Sequence, residues 1–137
     1  MRRIPIIALL LAGCVQLPPT PEDIQAKKFE IPPGMSVIYI VRTPLDSREA
    51  AGLWLDDKVQ ITTMSNTYYR WETAPGLHRI TGAGRWSDFL ELRTEAGKIY
   101  FVQQTAYGTI RAGAQITWVQ LIDEQAGRKL VLQSELL

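Results

Sequence analysis

Apolar residues along this chain fall in short runs broken by glycine, proline and polar pairs, and 3.6-residue periodicity is nearly absent. Residues 36–42 (SVIYIVR) are β-branched and aromatic almost throughout, which predicts a central strand covered on both faces. Residues 53–55 and 59–61 flank Asp56-Asp57-Lys58, a polar interruption that suits a tight hairpin. Residues 68–73 lead into Ala74-Pro75-Gly76, where proline presets φ and glycine takes the positive φ of a type II turn, and residues 78–81 return as the next strand. Residues 89–93 and 98–105 flank Glu95-Ala96-Gly97, a second hairpin. Residues 115–122 set Ile116 and Trp118 against Thr117 in alternation. Residues 123–127 then turn the chain into a last extended segment, 129–133, before an end at 134–137 that reads as strand or frayed turn. The pattern predicts an all-β fold, an antiparallel β-sandwich of about seven to nine short strands. Two apolar faces suffice to bury these aliphatic runs, so a sandwich is expected rather than a small barrel.

Upstream the pattern changes. Arg2 and Arg3 precede an apolar run over residues 4–11, then Ala12, Gly13 and Cys14, the layout of a secretory leader. A run of eight residues, one of them Pro5, is too short to span a bilayer, which takes about 20 apolar residues. From Val15 to Gly34 the chain carries Pro18, Pro19, Pro21, Pro32 and Pro33, which fix φ and remove backbone donors. That stretch reads as a stalk. A short helical turn over residues 21–28 is compatible with it, with Thr20 as cap and Pro21, Glu22 and Asp23 in the first turn. The expected division is a leader at 1–13, a tether at 14–28 and a sandwich domain at 29–137.

The 137 residues, 46% hydrophobic and 21% charged, leave room for one core. Net charge is +1, and removing the leader leaves 13 basic against 14 acidic residues. No basic stripe of the kind that neutralises phosphates is present, so no nucleic-acid partner is expected. With a single cysteine the domain has no internal disulfide and holds itself together by packing.

Leu11-Ala12-Gly13-Cys14 resembles the lipobox of bacterial lipoproteins. The resemblance implies diacylglycerol transfer to the sulfur of Cys14, cleavage before it, and acylation of the new amino group. Two or three chains make such an anchor effectively permanent, since each buried methylene contributes about 0.8 kcal/mol. It implies a protein of the bacterial cell envelope, and Val15, where aspartate would signal retention at the inner membrane, implies the outer membrane, facing the periplasm.

The succession Val37-Ile38-Tyr39-Ile40-Val41-Arg42, Pro75-Gly76-Leu77-His78 and Gly97-Lys98-Ile99-Tyr100-Phe101-Val102 resembles an uncharacterised family of bacterial lipoprotein domains with a prealbumin-like or carboxypeptidase-regulatory-like sandwich. The resemblance implies the fold and the anchor and transfers no functional residue.

Little in the chain points to catalysis. His78 is the sole imidazole, and it reads as a strand residue after the Pro75-Gly76 turn. One histidine and a lipid-blocked cysteine fall short of the three or four ligands that zinc requires, so neither metal nor other cofactor is expected. Asp56-Asp57 and Asp123-Glu124 are sequence neighbours within turns, whereas glycosidic chemistry needs carboxyls about 5 to 9 Å apart on facing walls. Gly82-Ala83-Gly84 and the segment from Gly108 to Gly113 around Arg111 do not open a helix as a phosphate loop must, and read as strand bends.

Aromatic residues are the remaining candidates: Tyr68, Tyr69, Trp71, Trp86, Tyr107 and Trp118. Strand alternation places Tyr69 and Trp71 on one face and Tyr68 and Arg70 on the other. If Tyr69, Trp71 and Trp86 converge in the open, they form a platform for a sugar ring or a partner protein. The expectation is thus a non-catalytic, lipid-anchored envelope protein that binds or scaffolds another component. A carbohydrate- or peptidoglycan-binding module is the alternative. A third reading is an accessory or inhibitor of an envelope enzyme, with Ser65-Asn66 and the segment from Gly108 to Gly113 as loop tips.

Overall fold

The computed structural model describes residues 17–44, 46–109, 111 and 115–137. Nine strands form two sheets: β1 (Ser36–Arg42), β2 (Ala51–Leu55), β3 (Val59–Thr63), β4 (Thr67–Thr73), β5 (Gly76–Gly82), β6 (Phe89–Thr94), β7 (Ile99–Tyr107), β8 (Ile116–Ile122) and β9 (Glu135–Leu136). One sheet has the order β8-β7-β1-β4-β9 and the other β3-β2-β5-β6. Pairing is antiparallel except for β1 with β7 and β4 with β9. This is the all-β sandwich that the run pattern predicts, with β1 in the middle of its sheet and buried along its whole length.

Alternation along the strands decides which core each side chain enters. Ile38, Ile40 and Val102 point inward to meet Leu53, Leu55, Ile80 and Leu92 of the other sheet, with Tyr69 and Trp71 packed against them. Val37, Tyr39, Val41, Tyr68 and Phe101 point to the opposite face of the five-stranded sheet and form a second core. Burying each such large side chain contributes about 1.5 to 3 kcal/mol, so neither face of β1 could be left wet.

A helix covers that outer face, and its presence corrects the reading of residues 123–133 as a turn followed by an extended segment. Helix α2 (Glu124–Gln133) starts at Asp123, whose side chain accepts from the Ala126 N–H at 2.9 Å, and Arg128 reaches back to Glu124 one turn earlier. Val131 and Leu130 enter the second core while Gly127 lies against Phe101. Leu130-Val131-Leu132 resembles a strand run, and the glycine looks like a breaker. What stabilises the helix is the apolar face of the sheet beneath it. The helix also carries the chain from β8 at one edge of the sheet to β9 at the other, which makes the β4–β9 pair parallel.

The segment assigned to the tether is folded from Pro21 onward. Helix α1 (Pro21–Ala26) has Thr20 as N-cap, accepting from the Asp23 N–H, and proline at its first position, as anticipated. It is docked: Ala26 joins the second core, and the Ala26 carbonyl accepts the Tyr39 hydroxyl at 2.6 Å. Residues 17–20 are exposed.

Candidate functional site

Of the residues singled out from sequence, Cys14 lies outside the described residues, as do Val15 and, within the segment from Gly108 to Gly113, residues 110, 112 and 113. Tyr69 and Trp71 share a face, as alternation requires, but that face is the inner one. Both pack against the core between the sheets, where the Trp71 ring meets His78 edge-on at 5.1 Å. Trp86, in the β5–β6 connection, is 69% exposed. The three aromatics are thus divided between the interior and a surface loop, and do not form one open platform.

His78 and Asp56 are partners. The carboxylate Oδ2 of Asp56 stands 2.8 Å from Nδ1 of His78, its Oδ1 accepts the Arg79 N–H at 2.7 Å, and Nε2 of His78 faces the Ala74 carbonyl at 2.7 Å. Asp56 and Asp57 both have positive φ, and the Lys58 N–H closes on the Leu55 carbonyl. The arrangement ties the β2–β3 turn to β5 and leaves the buried imidazole with both nitrogens occupied. Asp123 caps α2 rather than standing free in a turn. Among the described residues no group of three or more histidine, cysteine or carboxylate side chains is placed to hold a metal ion.

Arg42 forms a second polar cluster, and one that sequence reasoning did not single out. It is fully buried at the end of β1, where Nε meets Asp46 at 2.8 Å and the guanidinium donates to the carbonyls of Thr63, Ser47 and Glu49. Asp46 in turn accepts the Ala106 N–H. Every nitrogen of the guanidinium ends on a protein oxygen, so the cluster pins the β1–β2 connection to β3 and β7.

Exposed aromatic surface gathers instead on the outer face of β7 and β8, beyond the cover of α2. Alternation from Phe101 puts Gln103, Thr105 and Tyr107 on that face, and the register sets Gln103 opposite Gln120, Thr105 opposite Trp118 and Tyr107 opposite Ile116. Tyr107 and Trp118 are 46% and 52% exposed, and their rings meet edge to face at 5.1 Å. Beside them the Gln120 amide donates to the Gln103 side-chain oxygen at 3.2 Å. None of the six described side chains named here is charged. The strip combines aromatic faces with amides that both donate and accept, a surface suited to holding a ligand. Both aromatics are visible in the sequence. Their adjacency depends on the β7–β8 register, and no local signal reports it.

Over 131 residues the chain is 30% identical to an uncharacterised protein of Haemophilus influenzae, an alignment that takes in 91% of this chain and 76% of the relative. The chain belongs to that protein's family. The family thus has a bacterial member, and the fold described above gives it a β-rich architecture. No family model matches the chain.

Proposed function

We propose that this protein is a lipid-anchored component of the bacterial cell envelope that acts by binding another envelope component rather than by catalysis. The anchor reading rests on the basic, then apolar leader and on Leu11-Ala12-Gly13-Cys14, which resembles a lipobox. Val15 supports the outer membrane, with the domain facing the periplasm. The resemblance to prealbumin-like lipoprotein domains belongs to the same proposal, since the two-sheet architecture is compatible with it. The observation that carries the binding role is the exposed Tyr107–Trp118 pair on the open sheet face. A partner that covers the exposed parts of these two adjacent rings removes apolar area from water, which favours binding.

Two experiments test the proposal. Cys14→Ser should move the protein from the membrane to the soluble fraction and abolish palmitate labelling while leaving the fold intact; labelling that persists would sink the anchor. In-cell crosslinking from a photoreactive residue at position 118 should trap a specific envelope component, and loss of that product on Tyr107→Ala would place the contact on the strip.

A second reading is favoured by the glutamine pair: a carbohydrate- or peptidoglycan-binding module in which a sugar ring stacks on Trp118 and its hydroxyls bond to Gln103 and Gln120. Retention on isolated sacculi should then be lost with Trp118→Ala and kept with Trp86→Ala. Equal retention of both variants would rule this reading out.

A further inference from the structure

Among the described residues, strand β9 covers only part of one edge of the five-stranded sheet. Strand β9 pairs with β4 at Thr67 and Tyr68 alone, and the Leu137 N–H donates to the Tyr68 carbonyl at 2.9 Å. Backbone groups of alternate residues point to the same side of a strand, so the N–H and C=O of Arg70 and Glu72 face outward as those of Tyr68 do. The pairing on the other side agrees. Ile40 with Tyr69 and Ile38 with Trp71 use the β1 side of β4, while Arg70 stands opposite Tyr39, whose backbone is committed to β7. Among the described residues no hydrogen bond reaches the backbone of Arg70 or Glu72.

Both residues line a groove of about 780 Å³ that runs from the end of β9 along this free edge, with α1 and residues 30–33 as its far wall. The groove is acidic. Glu22, Glu30 and Glu72 line it against one cation, Arg70, whose guanidinium is already held by the Glu72 carboxylate and the Glu30 carbonyl. Ile31 and Leu136 add apolar surface on the side that Arg70 shares, and Tyr69 lines the groove from the other face of β4.

We infer that this groove takes an extended peptide segment of a partner protein, added to β4 as a strand in line with β9 and alternating basic with apolar residues. The exposed edge supplies up to four main-chain hydrogen bonds, the general source of affinity in strand addition. Glu22 and Glu30 select basic side chains on the face that Arg70 shares, and Tyr69, on the opposite face of β4, favours apolar residues at the positions between. The resident β9 shows that this edge accepts a parallel strand, since it already does so for two residues. The inference rests neither on the lipid anchor nor on the aromatic strip, so its failure and theirs are separable.

The test uses the full chain in detergent and a capped, fluorescein-labelled Val-Lys-Val-Lys-Val-Lys peptide as probe. Saturable anisotropy is expected, with amide exchange at Arg70 and Glu72 slowed at least tenfold when peptide is bound. A peptide N-methylated at alternate residues should bind at least tenfold more weakly, and so should the wild-type peptide to a Glu22→Lys/Glu30→Lys variant, whose substituted side chains are exposed and leave the core intact. Equal binding of the N-methylated peptide would overturn strand addition in favour of simple charge attraction. No saturable binding, unchanged exchange at the two amides, or a self-associated chain that protects them without peptide would each overturn the inference.

Discussion

Asp23 joins three elements through one side chain. It is 4% exposed, yet its carboxylate accepts from Lys27 Nζ at 2.8 Å, the Tyr68 hydroxyl at 2.7 Å and the Leu136 N–H at 3.1 Å. Burial by itself raises the carboxyl's pKa, but the Lys27 ammonium and the two other donors outweigh burial and hold it below the ordinary value. Burial, reinforced by that same carboxylate, pushes the Tyr68 hydroxyl the other way, far above its usual range. A carboxyl that is lowered in the folded state contributes stability above its unfolded pKa of about 3.9, and the contribution is lost as pH falls below that value. Asp23→Asn should therefore cost about 1 to 3 kcal/mol at neutral pH and flatten the acid limb of a stability-against-pH curve measured by urea unfolding. An unchanged acid limb would mean the carboxylate is not the linked group. Gly127 is the second residue whose role is visible only in the fold. A Cβ built there falls 2.2 Å from Cγ of Phe101, so the helix can lie on the sheet only with glycine at that position. Glycine-to-alanine in a helix ordinarily stabilises by about 1 kcal/mol. Here Gly127→Ala should destabilise instead, by about 1 to 3 kcal/mol, through overpacking, and thermal melting decides the sign.

The β2–β3 hairpin and α2 show how far local pattern reaches at the level of elements. Asp56-Asp57-Lys58 marks a tight turn in any sequence reading, and the turn forms there with φ of 51° and 55° at the two aspartates. These are left-handed values, the signature of a type I′ turn, which favours Asp-Gly. Asp57→Gly should accordingly raise stability by up to about 1 kcal/mol, because the exposed Asp57 side chain sits at a φ that glycine adopts freely. Asp56→Ala should lower it by about 1 to 3 kcal/mol, since it strips a carboxylate partner from His78 and from the Arg79 N–H. Measuring both variants separates the turn's conformational preference from its tie to β5. Gly76 has the positive φ expected of it, but at 147° it opens β5 in a more extended form than the type II turn read from Pro75-Gly76, which needs about 80°. Helix α2 was not legible: its apolar positions are contiguous, its glycine sits mid-helix, and its only local marks are the Asp123 cap and one Glu124–Arg128 pair.

At the scale of the whole molecule the five-stranded sheet is covered on one face by the second sheet and on the other by α1 and α2, except along β7 and β8 beyond Phe101. That exception positions Trp118 and Tyr107 in the open, whereas Trp71, which composition alone makes an equal candidate, is placed inside. Trp118→Ala should change melting temperature little, because half of the side chain is already exposed, while it abolishes binding on the strip; Trp71→Ala should do the reverse, costing about 3 to 5 kcal/mol in the core. If the two variants lost stability equally, the strip would be part of the packing rather than a surface. The free β4 edge and the open face of β8 lie on opposite margins of one sheet, so a peptide segment and a second component would not compete for the same atoms.

The sequence by itself determined strands β1 to β8, the tight β2–β3 turn and the two-sided burial of β1, because period-two alternation, β-branching and turn chemistry act between residues close along the chain. The same kind of local signal marks the Thr20 cap. The sequence did not show that Glu95-Ala96-Gly97, read as a hairpin turn, instead carries the chain from β6 in one sheet to β7 in the other. Only the tertiary structure decided that residues 124–133 are helical, that Arg42 is buried, that Tyr69 and Trp71 face inward, and that Tyr107 meets Trp118. Each of these depends on contact between residues far apart in the chain, where the burial of one surface against another outweighs the few tenths of a kcal/mol by which local preference separates helix from strand.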